Sequence, residues 1–148
     1  IMSIVSNICI TNSAGSKMQE INNIKVIASK GIVNDRYFKD NNDKDTQITL
    51  IESENIDYFN KVSGTNFVAS DFRRNIITKG IRLNDLINKR IKVGEVNMFV
   101  HRLCDPCKYL QDLLSQKNLV KNLLNKGGLR CEVLSSGEIS IEDKIIIL

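Results

Sequence analysis

A chain of 148 residues, 42% hydrophobic and 26% charged, has the length of one ordinary domain and enough apolar residues to bury a core without staples. Its 21 lysines and arginines against 17 aspartates and glutamates leave a charge of +4 spread along the chain, too weak and dispersed for a nucleic-acid surface but useful to a small anion if it converges on a pocket. No apolar run approaches the roughly 20 residues of a membrane span, the start lacks a secretory-signal pattern, and four cysteines are too few for a disulfide scaffold, so the expected address is the cytoplasm, with no membrane or nucleic-acid partner.

Alternation of apolar and polar residues predicts half-buried strands over residues 4–10, 24–28 and 46–51. Between the last two lies Lys30-Gly31-Ile32-Val33-Asn34-Asp35-Arg36-Tyr37, which sets a carboxylate beside a guanidinium, followed by a polar loop at 39–45 expected on the surface and mobile. Helical spacing starts at residue 53 and runs to 62, with Ile56, Phe59 and Val62 on one face. Next comes Asp71-Phe72-Arg73-Arg74-Asn75-Ile76-Ile77, two arginines and an asparagine leading into an apolar strand. Arginines fixed at a strand end hold phosphate or carboxylate bidentately, and the plainer use of such a cluster is a solvated ion pair. A short turn over 83–87 precedes strands at 91–93 and 96–100, which Gly94 separates.

After Pro106 the helical pattern comes in two pieces. Tyr109/Leu110 and Leu113/Leu114 keep one phase, Leu119/Val120 and Leu123/Leu124 are offset by a residue, and Ser115 is placed to cap the second piece. Gly127-Gly128 ends it, a strand follows at 129–134, and two short strands flank the turn Glu142-Asp143. With no repeat or linker, the chain reads as a single domain over 1–148. Many short strands, a few inserted helices and no βαβ alternation predict a mainly β fold, a closed or nearly closed barrel that hides its strand edges.

The sharpest chemical signal is His101-Arg102-Leu103-Cys104-Asp105-Pro106-Cys107, which holds the only proline. Asp105 suits a helix N-cap and Pro106 the first helical position, which puts Cys107 in the first turn, where free N–H groups and the helix dipole favour a thiolate. Cys104 then falls outside the cap, as the less reactive partner or a resolving thiol. Four uses of Cys104-x-x-Cys107 stay open. A zinc site needs His101 and Cys131 to complete it, at a spacing that matches no common finger. A thioredoxin-like redox pair lacks its βαβ surroundings. Two buried core cysteines sit awkwardly with Asp105 between them. The fourth use is a nucleophilic or metal-ligating thiolate at Cys107.

Taken in order, Lys30-Gly-Ile-Val-Asn-Asp-Arg36, Thr46-Gln-Ile-Thr-Leu-Ile-Glu52, Arg73-Arg-Asn-Ile-Ile77, Gly80-Ile-Arg-Leu83, Val93-Gly-Glu95, Cys104-Asp-Pro-Cys107 and Gly128-Leu-Arg-Cys-Glu-Val-Leu134 resemble the MOSC domain, across nearly the whole chain. That module occurs in molybdenum cofactor sulfurases, in the mitochondrial amidoxime reducing component and as small free-standing bacterial proteins. The resemblance implies a β-barrel with inserted helices. It implies that Cys107 carries sulfur as a persulfide or ligates molybdenum, with Cys104 beside it. It further implies that Asp35, Arg36, Arg73, Arg74 and Asn75 meet the pterin and phosphate of the molybdenum cofactor (molybdopterin), with Arg130 in the same pocket. Asn34 stands where the family usually has glycine, and asparagine tolerates a left-handed backbone better than most residues. The sulfurases also bring pyridoxal phosphate binding, through a desulfurase region for which this chain has no room, so a separate cysteine desulfurase or cofactor-biosynthesis protein is the expected partner. The implied function is a sulfur-carrier or cofactor-binding module of molybdenum cofactor metabolism, and the alternative is a molybdenum-dependent reductase of N-hydroxylated compounds.

Overall fold

Branched aliphatic residues build the strands, at alternate positions in Arg90–Val93 and Leu129–Val133 and at consecutive, doubly buried positions in Ile48–Glu52 and Ile76–Lys79, and the computed structural model describes residues 2–148. In chain order the strands are β1 (Ile4–Ile10), β2 (Gln19–Ile21), β3 (Asn23–Ile27), β4 (Gly31–Ile32), β5 (Ile48–Glu52), β6 (Ile76–Lys79), β7 (Arg90–Val93), β8 (Val96–Leu103), β9 (Leu129–Val133), β10 (Gly137–Ser140) and β11 (Ile145–Ile147). The helices are α1 (Ser53–Ser63), α2 (Lys108–Leu113) and α3 (Leu119–Asn122), with 3-10 turns at Ala69–Phe72 and Leu83–Leu86. β2 and β4 escape the periodicity reading because three and two residues are too few to show a period.

Of the expected mainly β, closed or nearly closed barrel, the β character and the curl are present and full closure is not. Eight strands make one curled sheet in the order β11-β7-β8-β9-β5-β6-β1-β2, and β10-β3-β4 form a second sheet. The two ends meet at an isolated bridge, Ile4 to Lys144, where Val5 N–H donates to Asp143 O at 2.9 Å, Glu142 N–H to Val5 O at 2.8 Å and Ile145 N–H to Ser3 O at 2.9 Å. The exposed-edge problem is met by length instead, since each end strand of the large sheet has only three residues to offer a partner.

A second departure lies in the middle of the chain. β5 and β6 run parallel, with Leu50 opposite Ile76 and Ile51 opposite Ile77, so β5, α1 and β6 form a crossover unit where no βαβ pattern was expected. The signal is masked because an irregular stretch with a 3-10 turn separates α1 from β6. α1 buries Ile56 and Phe59, while Val62 is 48% exposed and does not join the face. The helix ends at Gly64 (φ 65°), and Phe67 and Phe72 return to Phe59, the latter edge-on at 5.8 Å.

Two apolar clusters result. One joins residues of both sheets, with Ile8, Leu50, Met98 and Leu129 among its members; the other lies under the helices, where Ile51, Ile77 and Phe59 meet Leu110 and Leu119. Ser115 does not cap α3. It occupies the break itself with a left-handed φ of 53°, and Asn118 is the N-cap residue. The loop 39–45 is largely exposed, yet Asn42 ties it inward by donating to Lys30 O at 3.1 Å and to Tyr37 O at 2.5 Å.

Candidate functional site

β8 delivers the chain to the cysteines. Cys104 is 2% exposed and donates its N–H to Gly128 O at 2.7 Å, so the segment lies on the glycine pair that precedes β9. A β-carbon on Gly127 would strike Cys104 O and crowd the Pro106 ring. Proline keeps the residue before it out of the helical region, and Cys107 is itself extended at φ −124°, ψ 160°. Cys107 is therefore the N-cap of α2, not a residue of its first turn, and Asp105 does not cap the helix. α2 has only six residues, so access rather than helix-start electrostatics distinguishes the thiols: Cys107 is exposed and Cys104 is buried, and both are free.

The Asp-Arg pair is held from several sides. Asn34 adopts φ 72°, the left-handed conformation for which asparagine is suited. Asp35 is buried and accepts from Thr11 N at 3.2 Å, Tyr37 N at 3.3 Å and Arg36 Nη1 at 3.3 Å. Arg36 lies over the Tyr37 ring, 4.2 Å from its centroid, and its Nη2 donates to Arg73 O at 3.0 Å. That last bond fixes a residue in the left-handed region, since Arg73 has φ 59°.

A cavity of about 550 Å³ is lined by Arg36, Arg73, Arg74 and Arg130 together with Cys104 and Cys107. Segments separated by up to about a hundred positions thus share one wall, because β6, β8 and β9 flank β5 or one another and present their ends to the same side. Among the described residues only Arg36 of these four has a carboxylate partner; Arg73 donates to Ser16 O at 2.8 Å, Arg74 to three main-chain carbonyls, and Arg130 to Asp45 O at 3.4 Å. Arg130 Nε is buried with no partner at all. Three guanidiniums without carboxylate partners around an open cavity, and an orphaned buried donor, give a wall that can accept an anion. Asp105 is the one acidic residue there, and Tyr37 and Tyr109 supply aromatic surface. The sequence names Tyr37 only as the end of the Lys30–Tyr37 segment and Tyr109 only as part of a helical face, with nothing to mark either as a site residue.

Asp35 and Asn75 do not reach the cavity wall. Asp35 orients Arg36. Asn75 is fully buried: its Oδ1 accepts from Thr49 N and Oγ1 at 3.1 and 3.2 Å, and its Nδ2 donates to Cys9 O, so it stitches β1 to β5 just before β6 begins. Asn75→Ala is expected to cost about 2–3 kcal/mol through donors left unsatisfied in the interior, read as a lower urea midpoint, with anion affinity unchanged.

The other polar groups follow different logic. His101 Nε2 lies 2.8 Å from Glu132 Oε1 with its ring against Phe99, and no three His, Cys, Asp or Glu side chains gather as a metal site among the described residues. No lysine lines the cavity, so pyridoxal phosphate finds no amine there for a Schiff base. Burial, with Cys104 nearby as a smaller cause, pushes the Cys131 thiol well up; burial, then Glu20, pushes Cys9 up to about 12 from 9.0. A thiol harder to ionise folded than unfolded contributes its full stabilisation below pH 9, and the contribution is lost as pH rises toward 12. Urea midpoints are expected to fall across that alkaline window, and to fall less in Cys9→Ala.

The class is now defined by an open curled β-sheet fold with a thiol and an arginine wall at the end of one sheet. The MOSC domain family model matches residues 34–146, and the chain belongs to the MOSC domain family, which is associated with the molybdenum cofactor. Among solved structures, YuaD from Bacillus subtilis is similar with a TM-score of 0.84 at 15% identity, over 99% of this chain and 96% of that one. YiiM from Geobacillus stearothermophilus is similar with a TM-score of 0.81 at 18% identity (99% and 75% covered), and YiiM from Escherichia coli with 0.73 at 17% (97% and 69%). No curated protein matches the sequence. Among the described residues, no helix is long and apolar enough to cross a membrane.

Proposed function

We propose that the protein is a sulfur-carrier or cofactor-binding module of molybdenum cofactor metabolism, with Cys107 as its working thiol. The observation that carries this is the exposed Cys107 thiol on the same cavity wall as Arg73, Arg74 and Arg130, none of which has a carboxylate partner among the described residues. The donor set fits the cofactor's chemistry: a phosphate ester suits the guanidiniums and the unpartnered Arg130 Nε, and a thiolate suits molybdenum. When bound, the cofactor supplies a metal centre that changes oxidation state. What the chain's own residues do is simpler. Arg73 and Arg130 hold the anion, Arg36 fixes Arg73, and Cys107 stands exposed to a partner.

As a carrier, Cys107 thiolate attacks the outer sulfur of a persulfide on a cysteine desulfurase. The donor's S–S bond breaks, a new S–S bond forms on Cys107, and the donor cysteine leaves as a thiolate, with no net oxidation. Incubating the protein with a cysteine desulfurase and free cysteine, followed by mass spectrometry of the peptides, is expected to show one added sulfur on Cys107. Absence of that adduct, together with absence of binding to a phosphate-bearing pterin, would sink the proposal. The exposed thiol also serves the alternative, a molybdenum-dependent reductase of N-hydroxylated compounds, and stoichiometric molybdenum in protein from a molybdate-replete host would favour it.

A further inference from the structure

Four arginines line the cavity, but they are not equivalent. Arg74 is 8% exposed, and each of its three nitrogens donates to a main-chain carbonyl: Nη1 to Phe72 O at 3.4 Å, Nε to Gly127 O at 2.8 Å and Nη2 to Asp105 O at 3.3 Å. The three acceptors come from three segments, the turn before β6, the glycine pair before β9, and the middle of the cysteine loop. Arg130 is the opposite case, with one long bond and a buried Nε that has no partner.

Apart from the Cys104 N–H to Gly128 O bond, the Asp105 carbonyl is where the body of the protein grips residues 104–107 before α2 begins. Pro106 has no N–H to offer, and Gly127 makes room for the loop without gripping it. A planar guanidinium can span three carbonyls at fixed angles, and a lysine ammonium at the same place cannot. We propose that Arg74 is a positioning residue, a strut that holds Asp105 O and so fixes where Cys107 presents its thiol, while Arg73 and Arg130 meet the anion. The assignment rests on the carrier reading for its functional meaning and divides the arginine wall into a scaffold and a receptor.

Iodoacetamide and iodoacetate separate the two jobs at Cys107. The reagents differ by one negative charge, so their rate ratio reads local positive potential, and a change common to both reads how the thiol is presented. Arg74→Lys and Arg74→Met are expected to raise amide exchange over residues 104–107 and to lower desulfurase-dependent sulfur loading by roughly three- to tenfold, with the iodoacetate preference of Arg74→Lys within about twofold of the parent. Arg130→Met is expected to leave exchange unchanged and to cut the iodoacetate preference by roughly threefold or more, with Arg130→Lys restoring it. Parent-like exchange and loading in Arg74→Lys, with loss of reagent preference in Arg74→Met, would overturn the strut and make Arg74 a charge donor. If the Arg74 variants do not fold, the double variant Arg73→Met/Arg130→Met decides with Arg74 intact: loss of the iodoacetate preference at parent-like exchange over residues 104–107 supports the strut, and a preference within about twofold of the parent overturns it by making Arg74 the charge donor. A parent protein that accepts no sulfur would refute the carrier reading alone, since exchange and alkylation still test Arg74.

Discussion

Cys107→Ala is expected to bring sulfur loading down to background and to remove the only fast-alkylating thiol of the native protein. Four free cysteines are present, but Cys9 and Cys131 are fully buried and Cys104 is 2% exposed, which leaves Cys107 as the one thiol a reagent or partner can reach without opening the fold. Buried thiols react through opened states, so in a protein of ordinary stability they are expected to lag Cys107 by about a thousandfold or more. Cys104→Ser tests the other half of the motif. A hydroxyl in that buried site costs about 1–3 kcal/mol if no acceptor is met, yet the fast phase at Cys107 and its sulfur adduct should persist. Peptide mapping after timed alkylation reads both. Sulfur found on Cys104, or equal rates at the two positions, would reverse the assignment.

Gly128→Ala is expected to be the most damaging of the small substitutions, at about 3–5 kcal/mol, or a fall in Tm of roughly 6–20 °C. Gly128 has φ 101°, a conformation open to glycine and strained for any residue with a β-carbon, and that carbon would fall onto Leu50 O and press on Ile51 Cα. The obstacle is backbone of β5, which already bonds β6 on one side and β9 on the other, so it has nowhere to retreat. The damage also spreads to the site, because Gly128 O is the acceptor for Cys104 N. Gly15 provides the control. Its φ is 82°, but a β-carbon there meets nothing within 4 Å, so Gly15→Ala should cost only about 1 kcal/mol. Thermal unfolding of the two variants side by side checks the argument, and equal losses would refute it.

The strands over residues 4–10, 91–93, 96–100 and 129–134 were legible because half-buried strands write their faces into the sequence as a period of two, and α1 because Ile56 and Phe59 lie on one helical face. The left-handed turn at Asn34, the break between α2 and α3 and the hairpin at Gly94 were likewise local matters, decided by residues a few positions apart. Such features depend on the chain's own neighbours and need no knowledge of what packs against them. Arg36, Arg73 and Cys107 stand out as candidates from residue type and order alone.

Only the tertiary structure decided how the sheet ends, what the arginines do and why the two cysteines differ. A parallel β5–β6 pair, an open sheet in place of a closed barrel and a separate three-stranded sheet depend on which edges meet, and strand pairing is a long-range choice that period-two patterning does not encode. Asp35 and Asn75 sit in the same short segments as the cavity arginines, yet they turn inward to satisfy buried backbone donors and acceptors, a division set by partners far along the chain. Cys107 was singled out for a helix-start environment; it stands apart because Gly127 and Gly128 seat Cys104 in the interior and leave Cys107 at the surface. Burial is a property of the assembled fold, and at this site it determines which thiol and which guanidiniums remain available to a ligand.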